Sequence, residues 1–517
     1  MTKPHSTLRM SRRQFTLLAG GSAAVMSLGL SCLVQAQSTS TVRVRLASDI
    51  GNLDPARIFQ IENQSVASHI FNGLVKYDPA SNAIVPDLAS AWTVDGGKVY
   101  TFTLREGVTF HKGHGPFTAD DVKFSFERVL DPKTASAYAG QLAAIERIET
   151  PTPQTVVITL KSPNAGFLHK VAAFNQGWIV SRKAVTEMGD EKVRLNPVGT
   201  GPFVFERWTP GQEVSLSANP DYFEGAPKVG SVVFRIIRDE TASAIALENG
   251  EIDVFFSLQQ PEVIARLKQG GKVTVLDRPA NHTINLVLNT TVKPLDDVRV
   301  RRAIAYAINR PALLQGFFKG TKGEAFNVLT SSFPEYSEDV PRYDYDPAKA
   351  RELLKEAGVG NFTLELVTPA AAPYDKLVVP MASDLMAVGI QCKLQILERG
   401  TFLQARAKGT IPTSITGVVG APDPDSPILT LYSKASFPPG LNTAHYAGIE
   451  DLIAAAATAP DDTARKVAYG EILKKTMADV PVIPLYADHL FIAHGPRVKG
   501  FVQNSLFTVN VAPVALG

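Results

Sequence analysis

Strand and helix patterns alternate along almost the whole chain, and this alternation restricts the possible folds more than any other feature of the sequence. Residues 100–104 and 155–160 alternate in polarity with a period of two, as a strand with one buried face does. Between them, Thr118 and Asp121 have the spacing of a capping box and predict the start of a helix. Strand patterns continue as far as 362–366, and no internal repeat interrupts them. The sequence therefore predicts a mixed α/β fold.

The first 36 residues predict export rather than a part of the fold. Ser11-Arg12-Arg13-Gln14-Phe15 has the form of a twin-arginine signal. An apolar stretch rich in small residues follows at 17–34, and Val34-Gln35-Ala36 is a small-x-small site for signal peptidase. We therefore predict a twin-arginine signal peptide over 1–36 that is cleaved after Ala36 and leaves the mature chain in the periplasm.

Two alternatives to a cleaved signal stay open at this point. A retained membrane anchor would use the same apolar stretch, but that stretch is rich in Gly, Ala and Ser, and no second long apolar segment follows. Attachment of a lipid at Cys32 is the other alternative, although Gly29-Leu30-Ser31 before this cysteine is a poor lipobox. Cleavage after Ala36 is preferred to both.

Cleavage changes the charge of the chain. The first 36 residues contain four basic residues and no acidic one, so 52 Lys and Arg become 48 against 50 Asp and Glu, and the net charge changes from +2 to −2. Such a mature chain does not favour nucleic acid or an anionic membrane as a partner. Cys392 becomes its only cysteine, so no intramolecular disulfide can form. The 517 residues minus these 36 are enough for at least two lobes with buried cores.

Motifs for catalysis or metal binding are weak. His111 and His114 are close in sequence, but glycines beside them indicate a turn, and no His-Glu-x-x-His pattern supplies further ligands. The chain has no Gly-x-Ser-x-Gly elbow, Cys-x-x-Cys pair or Walker sequence. Gly199-Thr200-Gly201 could cradle a phosphate, but no Lys-Ser/Thr follows, and a structural turn is favoured. We predict no catalytic residue, no metal site and no cofactor, and hence no enzyme.

One long block of sequence and several shorter ones are similar to those of a known family. The long block, 88–128, is highly specific, and shorter blocks follow it in the family's order at 196–203, 246–253, 294–310, 423–425 and 446–452. On these residues the chain resembles the peptide- and nickel-binding periplasmic solute-binding proteins of ABC importers (family 5, cluster C; dipeptide- and oligopeptide-binding-like). The resemblance covers essentially all of 41–517.

The resemblance implies the two-lobed α/β fold of periplasmic binding proteins (type II, cluster C) with an extra inserted subdomain. Lobe I is expected to use 37–79, 196–280 and 485–517, the inserted subdomain 80–195, and lobe II 281–484. The family also implies a monomer that captures a peptide or peptide-like solute and delivers it to ABC permease subunits in the inner membrane. Because the twin-arginine route often carries folded cofactor proteins, a periplasmic hydrolase or cofactor-dependent enzyme stays open as the alternative.

The resemblance further implies that the two chain crossings between the lobes form a hinge. These crossings are expected near 279–282 and 483–486. A ligand that touches both lobes binds the closed form better and shifts the population towards it. The permease would then recognise the closed form.

A ligand loop is expected at 417–425 by the same resemblance. In dipeptide- and oligopeptide-binding members this loop begins with a tryptophan and carries an aspartate that holds the α-ammonium of the peptide. Gly417 and Gly420 occupy these two positions here. The missing carboxylate argues against unmodified peptides with a free amino end, unless Asp423 replaces it. Asp423 fits a turn before Pro424 equally well.

Other candidates lie in the first cleft loop and near the hinge. Asn52-Leu53-Asp54-Pro55, followed by Phe59, resembles the family's first cleft loop, although Asp54 also fits a turn and cap residue. For the candidates beside the hinge or the late loop, ordinary packing is the alternative. The predicted ligand-binding residues are Asp54, Phe59, His282, Asn289, Gly420, Asp423 and Tyr446.

Overall fold

A computed structural model describes residues 40–58, 60–136, 138–371, 373–419, 422–459 and 462–517. The predicted signal peptide, including Cys32, lies outside these described residues. The described residues belong to one compact unit. Within them, no helix combines the length and the apolar character that crossing a membrane requires.

Strands and helices alternate along the described chain, and the predicted α/β class is confirmed. The strands are β1 (Thr41–Leu46), β2 (Val75–Tyr77), β3 (Ile84–Pro86), β4 (Ala89–Asp95), β5 (Val99–Leu104), β6 (Ile145–Thr152), β7 (Thr155–Leu160), β8 (Phe203–Thr209), β9 (Glu213–Ala218), β10 (Ser231–Ile236), β11 (Val254–Leu258), β12 (Thr274–Leu288), β13 (Thr363–Pro369), β14 (Gln391–Leu397), β15 (Thr413–Val419), β16 (Val482–His494), β17 (Val498–Lys499) and β18 (Ala515–Leu516). The helices are α1 (Ile61–Ala67), α2 (Ala119–Leu130), α3 (Ala139–Leu142), α4 (Phe167–Ala172), α5 (Arg182–Met188), α6 (Asp190–Val193), α7 (Glu240–Glu248), α8 (Pro261–Gly270), α9 (Val298–Ala307), α10 (Arg310–Gly316), α11 (Pro347–Glu356), α12 (Tyr374–Ala387), α13 (Arg399–Ala407), α14 (Asp425–Tyr432), α15 (Glu450–Ala457) and α16 (Asp462–Asp479).

Eight of the described strands form a mixed sheet in the order β15-β12-β16-β11-β1-β10-β9-β8. β1 is parallel to both β10 and β11, whereas β16 runs antiparallel to β11 and β12. The strands β12 and β16 pair with each other from Thr274 opposite His494 to Val287 opposite Val482. At 15 and 13 residues, they are long enough to extend through more than one core.

The two ends of the β12–β16 ladder pack into different hydrophobic cores. At one end Leu286 and Ile483 pack with α9 and α12, and at the other Phe491 and Ile492 pack with strands and helices of the first half of the chain. One ladder thus connects two lobes, and the predicted two-lobed fold is confirmed. The residue boundaries of the lobes given above stay predictions.

A separate antiparallel sheet, β4-β5-β7-β6, packs with α2 around its own core, which contains Phe102, Phe126 and Ile158. The predicted capping box at the start of α2 is confirmed, since the backbone N–H of Thr118 donates to Oδ2 of Asp121 at 3.0 Å. The apolar face of α2 is thereby directed at the sheet. Phe167 and Val171 of α4 pack into the same core and so fix α4 to this unit.

A buried histidine attaches the C-terminal segment to the first lobe. The ring of His69 is fully buried. Its Nδ1–H donates to the carbonyl of Ser65 at 2.7 Å, and its Nε2 accepts from the backbone N–H of Val511 at 3.0 Å. Both bonds require the neutral imidazole, and burial lowers the pKa of His69 to about 4.

We expect the protein to lose stability as the pH falls from about 6.5 towards about 4. In this range the unfolded chain takes up a proton that the folded His69 does not bind, so the stability present above pH 6.5 decreases. One such histidine corresponds to about 3 kcal/mol. His111, whose pKa burial also lowers to about 4, adds to the effect.

Urea unfolding across this pH range tests the expectation. The variant His69→Gln should show a shallower decrease in the free energy of unfolding, because one linked proton is removed. The matched control His114→Gln, at a partly exposed ring beside Glu187, should keep the decrease of the wild type. Equal slopes in all three proteins would contradict the role given to His69.

Candidate functional site

The candidate site lies where β12 passes from one lobe to the other. The register of the β12–β16 ladder shifts between Pro279 and Thr283, and His282 lies within this shift. The Nδ1–H of His282 donates to Oδ2 of Asp488 in β16 at 2.6 Å. The ammonium of Lys322 lies 2.6 Å from the other carboxylate oxygen of Asp488. Two donors from different segments therefore hold one carboxylate at the crossing.

The charge state of this triad follows from its contacts. Burial alone would raise the pKa of Asp488, but the hydrogen bond from His282 and the charge of Lys322 lower it to about 2. Asp488 is therefore ionised at every physiological pH. Because the carboxylate accepts the proton on Nδ1, the Nε2 of a neutral His282 is a hydrogen-bond acceptor.

Gly417 explains how the ring of His282 fits at this position. Gly417 lies opposite Ile284 in the pairing of β15 with β12. A Cβ atom at Gly417 would lie 2.2 Å from Nε2 of His282 and 2.6 Å from Cδ1 of Ile284, closer than atoms can approach. Phe507 packs edge-on against the ring, with 6.0 Å between the ring centres. The imidazole therefore occupies the space that a side chain at 417 would need.

Asp423 lies in a second group, the Arg465 cluster, which consists of Arg465, Asp423, Asp425 and Glu335. The guanidinium of Arg465 donates to Asp423 at 2.7 Å and to Glu335 at 2.8 Å. Burial alone would raise the pKa of Asp423, but the positive charges of Lys170 and Arg465 lower it. Burial raises the pKa of Glu335 to about 6, although Arg465 opposes this shift. Asp423 is thus ionised and held by the protein itself.

Asp54 is also held by the protein. Its carboxylate is fully buried and accepts two hydrogen bonds from the guanidinium of Arg128, at 2.8 and 2.6 Å. It also accepts from the backbone N–H of Ala56, as a turn residue does. The predicted site residues Phe59 and Gly420 lie outside the described residues.

The two other predicted residues also have partners of their own. The side-chain amide of Asn289 donates to the carbonyl of Ile411, and its oxygen accepts from the backbone N–H of Thr291. The hydroxyl of Tyr446 donates to Asp479 at 2.6 Å. In the described part of the chain, His282 forms no hydrogen bond with the side chains of Asn289, Tyr446 or Asp54. Those predicted residues that the structure describes therefore do not form one hydrogen-bonded group.

Asp488, Lys322 and Arg465 were missed by the sequence analysis. His282 and Asp488 are 206 positions apart, and Arg465 is 42 positions from Asp423, so no local motif contains either pair. One signal did exist for Asp488: it follows the apolar run 481–486 within a strand, where a charge needs a partner. Within the described part of the chain, no group of three His, Cys, Asp or Glu side chains is arranged to hold a metal ion.

Two lobes joined by one strand ladder, with a polar site at the crossing, are typical of proteins that close around a small solute. Residues 83–438 match the family described as bacterial extracellular solute-binding proteins, family 5, middle region. The chain belongs to this family of extracellular solute-binding proteins, and the resemblance found in the sequence is confirmed.

Individual relatives agree with this assignment. The chain is 32% identical, over 99% of its length and 100% of the relative, to di/tripeptide-binding protein 2 of Pseudomonas aeruginosa strain UCBPP-PA14. Its structure is similar to that of HbpA2 from Haemophilus parasuis, with a TM-score of 0.86, 27% identity and coverage of 92% and 100% of the two chains. It is also similar to MoaA of A. tumefaciens R10 in complex with mannopinic acid, with a TM-score of 0.75, 30% identity and coverage of 93% and 100%.

The contact between Gly417 and His282 can be tested by stability measurements. We expect Gly417→Ala to reduce the free energy of unfolding by about 1–3 kcal/mol, because the new methyl group overlaps the ring. In the double variant Gly417→Ala/His282→Ala the overlap with the imidazole is removed and only that with Ile284 remains, so its loss should be smaller than the sum of the two single losses. Gly360→Ala, where a Cβ meets no atom within 4 Å, is the control. Additive losses in urea unfolding would contradict the contact.

Proposed function

We propose that this protein is the substrate-binding component of an ABC importer, which captures a peptide or peptide-like solute between its lobes and delivers it to a membrane permease. The β12–β16 ladder, with His282 and Asp488 at its register shift, is the observation that carries the proposal. It supplies one hinge region and one polar site in a chain of the solute-binding family.

The binding free energy that this mechanism requires is moderate. A shift of the open–closed equilibrium from 1:99 to 99:1 requires about 5.5 kcal/mol of preferential binding to the closed form. Hydrogen bonds with charged groups contribute about 1.5–3 kcal/mol each. A small solute that makes a few such bonds to both lobes is therefore sufficient, and no covalent step is needed. We accordingly propose that the protein is not an enzyme.

The solute is proposed to have no free amino end, and therefore no ammonium group that would bind the ligand loop. Gly420 occupies the position at which the family loop carries the aspartate for an α-ammonium. The protein's own cations hold Asp423 and Asp488. Modified peptides and conjugates of the opine kind fit such a site better than unmodified peptides. The similarity to a protein in complex with mannopinic acid supports this choice of class.

A binding experiment on the mature chain, residues 37–517, tests the function. The probes are alanylalanine, trialanine, N-acetyl-alanylalanine and mannopinic acid. We expect native mass spectrometry to show a one-to-one complex with N-acetyl-alanylalanine or mannopinic acid. Small-angle scattering should show a smaller radius of gyration for that complex, and the probe should be recovered unchanged.

Each readout has an outcome that contradicts part of the proposal. Preference for alanylalanine would exclude the proposed solute class while keeping the receptor function. Hydrolysis of a probe would favour the enzymatic alternative. Tight binding without compaction would exclude closure as the mechanism. A mass of the free protein equal to one chain is expected for the proposed monomer.

We also propose that the protein reaches the periplasm through its twin-arginine signal and is released there. In the double variant Arg12→Lys/Arg13→Lys we expect unprocessed precursor to accumulate in the cytoplasm, because the arginine pair is the recognised feature. Cell fractionation with detection of the chain measures this. The variant Cys32→Ala is the control and should be exported and processed normally. Release of the chain from membranes only in Cys32→Ala would indicate a lipid anchor instead.

A further inference from the structure

The unit formed by β4–β7 and α2 contacts the second lobe at a place that is separate from the hinge. The backbone N–H of Ala165 donates to the carbonyl of Ala457, at the end of α15, at 2.9 Å. At the next residue, Gly166, a Cβ would lie 2.4 Å from a carboxylate oxygen of Asp425. The backbone before α4 therefore meets α15 and the Arg465 cluster directly. Phe167 of α4 is anchored in the core around Phe102.

The helix α4 presents a cation to this cluster. The ammonium of Lys170 lies 3.4 Å from Oδ2 of Asp423, while Arg465 donates to Oδ1 of the same carboxylate. The Lys170 side chain is 17% exposed and that of Asp423 only 2%. His169 is the neighbour of Lys170 in α4. Its Nε2 lies 3.5 Å from the guanidinium of Arg465, and its Nδ1 forms a hydrogen bond with the hydroxyl of Tyr77 at 3.1 Å.

Without this lysine the cluster has only one positive charge for its three carboxylates. Arg465 is one cation, and it faces the three carboxylates of Asp423, Asp425 and Glu335. Burial weakens screening by water and salt, so an unmatched carboxylate in this place is unfavourable. Lys170 supplies the second positive charge, and it comes from the other side of the contact.

We propose that Lys170 is a closing contact: its ammonium binds Asp423 when the lobes come together and stabilises the closed form without any ligand. Opening of the lobes separates Lys170 from Asp423 and exposes a cluster with excess negative charge to water. Closure and ligand affinity are linked, so Lys170 raises by the same factor the affinity for every solute that binds the closed form and leaves the contact between Lys170 and Asp423 in place. This last consequence rests on the proposed function, whereas the closing contact does not.

The proposal also assigns a role to Asp423 that differs from ligand binding. An ammonium is already bound to this carboxylate, and it belongs to the protein. A solute ammonium at Asp423 would have to displace Lys170 and would thereby open the contact that closure forms. Asp423 therefore selects against a cationic end rather than for it.

Disulfide trapping measures the closed form in the absence of ligand. The variants Ala165→Cys and Ala457→Cys are combined in a Cys392→Ala background, because the backbones of 165 and 457 are in direct contact. The rate of disulfide formation under a mild oxidant then reports how often the lobes close. Into this background we introduce Lys170→Met, which keeps the length of the side chain and removes the charge, and Lys170→Arg, which keeps the charge.

We expect Lys170→Met to slow trapping about 5- to 30-fold, the factor that corresponds to one or two kcal/mol. Lys170→Arg should retain most of the rate, because it keeps a positive charge beside Asp423. The control Lys123→Met changes an exposed lysine of α2 and should trap at the parent rate. Circular dichroism checks that each variant is folded.

The proposal is overturned if Lys170→Met traps as fast as the parent, or if Lys123→Met slows trapping equally. No ligand is present in this experiment, so its failure would leave the importer function intact. Conversely, failure of every probe to bind would not change the trapping result. The two hypotheses are therefore tested separately.

Discussion

The antiparallel ladder between β12 and β16 is the interaction on which the rest of the structure depends, since both lobes are built on its ends. A regular ladder would make the two lobes a single rigid sheet. Pro279 lacks an N–H donor, and the register shifts between this residue and Thr283. Side chains satisfy backbone groups around the shift: Thr330 donates to the carbonyl of Ala280 at 2.6 Å, and Thr283 donates to that of Val328 at 3.0 Å. The crossing is therefore less regular than the ladder on either side without leaving these carbonyls unpaired.

Buried charges connect elements of the first lobe that lie far apart in the sequence. Arg45, 1% exposed, donates from β1 to the carbonyl of Ile237, which follows β10, and to that of Phe256, which lies within β11. Arg128 of α2 binds Asp54 through two hydrogen bonds. A buried charge is tolerated where such bonds replace its water, and removal of one partner is costly. These contacts favour lobes that move as units, which is the kind of motion that a closing contact between them requires.

Local features were predictable from the sequence, whereas partners across the fold were not. The capping box of Thr118 and Asp121 involves residues within one helical turn, and the structure confirms it. The two-lobed fold followed from family blocks distributed along the chain. The site is different, because His282 meets Asp488 only where β12 pairs with β16, 206 positions later in the chain. The ion pair between the buried Asp54 and Arg128, 74 positions away, has no local sequence signature either.

The chemistry of the site depends on which carboxylates are already bound. Asp488 is held by His282 and Lys322, and Asp423 by Arg465 and Lys170. A solute ammonium would have to compete with preorganised donors at either carboxylate, and would gain little because it also loses its own water. A hydrogen-bond acceptor of the solute meets no such competition at Lys322, and an amide N–H meets none at the Nε2 of a neutral His282. The absence of a side chain at Gly417 and the position of the His282 ring beside it are linked features, because a Cβ at 417 would overlap the imidazole.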